Sequence, residues 1–65
     1  MAKMPVEVLT VEEAERARAL VLQHGLYGAA MLLGISKQTL PKAIALLEVH
    51  RLTAETIRSM LARLT

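Results

Sequence analysis

The chain has 65 residues, 54% of them hydrophobic, no cysteine and a net charge of +2. That allows one small domain, which buries only about 60% of the surface its unfolded chain exposes, and it excludes disulfide staples and cysteine-based zinc sets. Twelve Leu and ten Ala against a single aromatic exclude disorder as the main state, and the apolar surplus calls for a partner, most simply a second copy of the chain.

Residues 1–10 read as an N-terminal arm, in which Pro5-Val6-Glu7-Val8-Leu9 has the pattern of a short strand. Residues 11–65 read as one all-α domain of four helices. Thr10 and Glu13 match a capping box, and Glu12 and Glu15 place negative charge near the positive end of the helix that follows. Ala14, Ala17, Leu20 and Val21 recur at helical spacing, and Gly25 is a natural stop, so the first helix is expected at about 11–24. Leu26 to Leu33 reads as a short second helix ended by Gly34. Ser36 then caps a third, expected at about 37–47. Pro41 falls inside that helix, where a missing N–H and a ring clash with the carbonyl of Lys37 predict irregular backbone at 37–40. His50-Arg51-Leu52 reads as a polar connection. Thr53 is expected to cap the fourth helix, stapled by Leu52 and Ile57 and carrying an Ile57-Met60-Leu61-Leu64 stripe.

Charge is distributed unevenly. Residues 1–25 carry three basic and four acidic side chains, net −1, whereas residues 26–65 carry five basic and two acidic, net +3. A positive field in the second half suits a polyanionic partner. Enzymatic chemistry is not expected: the acids are six Glu with no positioned pair, no thiol nucleophile exists, and so short a helical chain rarely encloses a substrate pocket. His24 and His50 lack a third ligand to make a metal site, so no metal, cofactor or small-molecule substrate is indicated. No targeting segment is evident, and the longest apolar runs, 29–33 and 43–47, are five residues each, which predicts no membrane association and a cytoplasmic protein.

The segment from Leu26 to Ala45 carries the most specific pattern. Ala30 supplies a small residue where two helices can touch. Gly34 supplies a turn position tolerant of positive φ, and Ala29, Leu33, Ile35 and Leu40 supply apolar contacts. With Ser36 as the cap of the next helix, residues 26–46 resemble the helix-turn-helix of Cro-type phage-repressor-like DNA-binding domains. The resemblance covers about residues 11–64. It departs from the family at Pro41 and at Ala43, which stands where a larger aliphatic is usual; Ile44 beside it fills that space if the helix phase shifts.

The resemblance implies sequence-specific binding of double-stranded DNA, as a small transcriptional regulator. Its base-reading positions fall here on Ser36, Lys37, Gln38 and Lys42. Lys can donate to guanine O6 and N7, and Gln can pair with adenine. Phosphate-facing positions fall on Leu26 and Tyr27 at the start of the second helix, on Thr39, and on His50, Arg51 and Thr53 in the following connection. A homodimer reading a palindrome is the implied assembly, acting as a repressor that blocks an operator. After a core of Ala17, Val21, Ala30, Leu33, Ile35, Leu40, Ile44, Leu47, Leu52, Ile57 and Leu61 is assigned, Val6, Val8, Leu22, Met31, Leu32, Leu46, Val49, Met60 and Leu64 remain for an interface. Met60 and Leu64 on the last helix are its first candidates. Val6 and Val8, pairing across the two-fold as a β-ribbon, are its second. A small helical protein-interaction module, an adaptor or antitoxin-like partner without DNA readout, is the competing reading.

Overall fold

A computed structural model describes residues 5–64; expectations for residues 1–4 and 65 lie outside the described residues. In chain order the elements are β1 (Val6–Glu7), α1 (Val11–Leu33), α2 (Thr39–Ile44), β2 (Val49–His50) and α3 (Arg51–Leu64). The fold is mostly helical, with three helices and one small antiparallel strand pair, Val6 opposite His50 and Glu7 opposite Val49. A short strand was expected within residues 5–9 and β1 is that strand, but its partner β2 within the same chain was not expected. The pairing ties the described end of the arm to the domain, and Leu9 just after β1 is buried in the core.

The capping box at the start of α1 is formed in both directions. The Thr10 amide donates to Glu13 Oε1 at 2.9 Å, and the Glu13 amide donates to Thr10 Oγ1 at 3.1 Å. Where the sequence divides its first two helices, α1 is broken: Gly25 has φ 78° and ψ 164°, outside any helical region, so residues 11–24 and 26–33 run as two segments across a kink. Gly34 then ends α1 in the left-handed region, φ 69° and ψ 30°. The Gly34 amide donates to Met31 O at 3.2 Å and the Ile35 amide to Ala30 O at 3.0 Å, the paired bonds of a Schellman ending.

The third helix is shorter than its expected 37–47. Lys37 and Gln38 lie in a turn, and α2 spans only Thr39–Ile44. Pro41 is therefore the third helical residue, inside the first turn, where no intrahelical donor is required. The phase places Ala43, and not Ile44, fully in the core. At the far end Leu46 takes φ 61°, with the Leu46 amide bonded to Ala43 O at 3.1 Å and that of Leu47 to Lys42 O at 3.0 Å. This is the same Schellman pattern as at Gly34, built on a leucine, and it stops α2 three residues before the expected end.

The last helix starts at Arg51, three residues before the Ala54 that a Thr53 cap implies, so Thr53 is no cap and Leu52 no staple. His50 and Arg51 do not form a connection: β2 runs straight into α3. The opening amides of α3 find other acceptors. Arg51 N–H donates to Pro5 O at 3.0 Å beside the ladder, and Leu52 N–H donates to His50 Nδ1 at 3.1 Å.

α1 packs against both α2 and α3. Six of the twelve buried core residues are alanines: Ala14, Ala17, Ala29, Ala30, Ala43 and Ala54. Small side chains let the helices approach closely, while Leu33, Leu40 and Ile57 supply the largest fully buried groups, each worth about 1.5–3 kcal/mol of transfer free energy. Leu47 and Leu52, assigned to the core from the sequence, are 54% and 61% exposed, because α2 ends before one and α3 begins before the other. Val49, left over in that assignment, is buried where β2 crosses the core.

Candidate nucleic-acid interface

Two backbone devices fix the segment between α1 and α2. The Schellman ending at Gly34 holds its first half. Ser36 holds its second: its Oγ accepts the amides of Gln38 at 3.2 Å and Thr39 at 3.1 Å. With both lone pairs so engaged, the Ser36 hydroxyl proton is left for Thr39 Oγ1, 3.2 Å away. Ser36 thus bonds the amides that a cap would, but it stands three residues before the first residue of α2, whose N-cap position is Gln38, so it is not the cap expected of it. Its hydroxyl and that of Thr39 are engaged within the turn.

That leaves Lys37 and Gln38, just ahead of α2, and Lys42, in its last turn, as exposed polar side chains. Lys37 and Gln38 project from a turn and not from the helical residues expected of them; the cause is Ser36, whose capping bonds close the turn before regular helix begins at Thr39. Across the turn lies the second segment of α1. Leu26 and Tyr27 open it immediately after the Gly25 break, and both are exposed. A cleft of about 370 Å3 runs between the two, walled by Ala30, Met31 and Ile35 and flanked by Tyr27, Lys37 and Gln38. The Lys37 ammonium lies 5.3 Å from the centroid of the Tyr27 ring.

The remaining expected phosphate contacts lie beyond α2. Arg51 is exposed, with its Nε 3.9 Å from Glu55 Oε1 one helical turn on. His50 is half-buried at the end of β2, its Nδ1 engaged by the Leu52 amide. Thr53 is half-buried in the first turn of α3. Comparison with family models, with curated proteins and with solved structures gives no match, so the arrangement has to be read on its own chemistry.

Two further cationic side chains, Arg16 and Arg58, join elements of the fold. Arg58 bridges two elements: its Nε donates to Glu13 Oε2 at 2.8 Å, and its Nη1 pairs with Glu7 of β1. Burial raises the Glu13 carboxyl, but the Thr10 amide and the Arg58 guanidinium outweigh it and hold the group below its ordinary value. Arg16 donates from Nη2 to Leu61 O at 2.8 Å, joining α1 to the last turns of α3. Both contacts span 45 residues, a distance no local pattern reveals. They draw these arginines into the scaffold, so that the positive charge near the turn comes from Lys37 and Lys42.

Of the expected dimer contacts, Val6, Val8 and Leu64 are exposed and Met60 is half-buried. The strand partner of Val6 is His50 of the same chain, so one edge of β1 is already paired. Among the described residues, no helix is long and apolar enough to cross a membrane.

Proposed function

We propose that the chain is a sequence-specific DNA-binding regulator, a homodimer that occupies a palindromic operator in the cytoplasm and represses by blocking it. In this reading the segment 26–33 counts as a helix of its own. The domain then has four helices, with a helix-turn-helix at about 26–46. The observation that carries the proposal is the hydrogen-bonded turn between Gly34 and Thr39, which holds Lys37 and Gln38 exposed ahead of α2 with backbone bonds on both sides. Fixed roots are what a base-reading side chain needs, since a mobile one loses most of a hydrogen bond's worth to ordering.

In the proposal Lys37, Gln38 and Lys42 read base edges. The Gly25 break lets the backbone at Leu26 and Tyr27 face a phosphate, and Arg51 adds charge to the flank. Catalysis has no part in it. Exposed Leu46, Leu47 and Leu52 favour the competing reading, a helical module that docks on another protein. Selection from a randomised duplex pool separates the two. A DNA reader should select a preferred palindrome whose positions relax in Lys37→Ala and Gln38→Ala, each by about 1–3 kcal/mol of discrimination, with the same positions affected in both half-sites. Recovery of the parent's palindrome with full discrimination by both variants contradicts the assignment of these residues.

A further inference from the structure

Lys37 has a long, flexible side chain that, if free, would attract any phosphate within reach. It is not free. Among the described residues no carboxylate pairs with it, and its ammonium lies over the Tyr27 ring. The two side chains are ten residues apart, yet the backbone between their roots is tied by hydrogen bonds at both ends of the turn. Tyr27 stands one helical turn ahead of Ala30 and Met31, whose carbonyls accept the amides of Ile35 and Gly34. Lys37 follows directly, between those bonds and the two amides capped by Ser36. Tyr27 itself is 64% exposed, so packing does not account for an aromatic here.

We propose that Tyr27 is a positioning residue for Lys37: its ring holds the ammonium at the mouth of the cleft and thereby decides which base edge Lys37 reaches. The inference rests on the DNA reading above and gives the Tyr27 side chain a role besides the phosphate-facing position of its backbone. An ammonium over a ring face keeps donors directed outward, so it can still bind guanine O6 or N7. The ring restricts where those donors lie, converting a diffuse positive charge into a placed one.

The test combines pool selection with proton NMR of the free protein. Tyr27→Phe keeps the ring and should keep the parent's preferred sequence. Tyr27→Leu removes the ring and should lower discrimination about two- to five-fold, as expected for an exposed cation–π contact, at the same positions that Lys37→Ala relaxes. The double variant Tyr27→Leu/Lys37→Ala should discriminate at those positions no worse than Lys37→Ala alone. The ε-methylene protons of Lys37 should show an upfield ring-current shift in the parent and in Tyr27→Phe, lost in Tyr27→Leu. Unchanged preference in Tyr27→Leu overturns the inference. So does an equal, sequence-independent loss in Tyr27→Phe and Tyr27→Leu, which would make the hydroxyl a phosphate ligand. Absence of the ring-current shift in the parent overturns the positioning while leaving DNA binding intact. A parent that shows the shift but selects no sequence removes the DNA reading, and the inference with it.

Discussion

Gly25 and Gly34 both take positive φ, but they make different demands on a side chain. Gly34 sits in the left-handed region, which non-glycine residues enter at a cost of about 1–2 kcal/mol. Gly25, at φ 78° and ψ 164°, sits where almost only glycine is found. A Cβ at Gly25 meets nothing within 4 Å, so any cost there is conformational and not steric. Gly25→Ala should therefore lower stability by about 1–3 kcal/mol and by more than Gly34→Ala, read from urea midpoints. Equal or reversed losses would show that the kink in α1 is not fixed by backbone conformation at residue 25. Leu46 is the informative counterpart. It occupies φ 61° without being glycine, and the sequence around it carries no stop signal. The ends of α1 segments were legible because glycines mark them; the end of α2 was not, because a leucine does the same work under tertiary constraint.

At the scale of elements, Arg58 is the joint between the N-terminal strand and the helices. Its two carboxylate partners come from β1 and from the capping box of α1. Because Glu13 in the folded chain titrates below its ordinary value of 4.5, its contribution to stability is complete above that value. The contribution is lost as pH falls through the lower, folded-state value. Glu13→Gln should keep the cap, since glutamine serves at that position, and should flatten the acid limb of a urea-midpoint profile below about pH 4.5. An unchanged acid limb would place the acid-sensitive carboxylate elsewhere. Helix starts show the same division between legible and hidden. Thr10 with Glu13 marked the first start because both partners lie in one turn. The start of α3 was misplaced at Thr53 because its amides are satisfied by Pro5 O and His50 Nδ1, set there by a strand pair that two-residue strands do not announce. Of the candidate interface, Ser36, Lys37 and Gln38 could be located from the Gly34 turn and the cap. The Tyr27–Lys37 contact could not, since no local rule links residues 27 and 37.

The whole molecule is small, its core half alanine by count, and it leaves Leu46, Leu47, Leu52 and Leu64 exposed around α2 and α3. A domain of this size gains stability by association, and its proposed palindrome requires two copies. Light scattering should give about twice the chain mass at micromolar concentration, and polar replacement of Met60 and Leu64 should reduce it if the last helix is the contact. If that pair leaves the mass unchanged and Val6→Lys with Val8→Lys halves it, the outer edge of β1 is the contact. A monomer throughout would remove the two-fold reading of the operator. The proposed binding of double-stranded DNA by this positively charged face is tested most directly by a salt titration of duplex binding. A dimer that neutralises about 6–10 phosphates should lose roughly 1,000- to 100,000-fold in affinity between about 50 and 200 mM salt, and Arg51→Ala should weaken all duplexes alike and make that slope shallower. An affinity for DNA that does not change across this salt range, or no binding at its low end, would contradict the account.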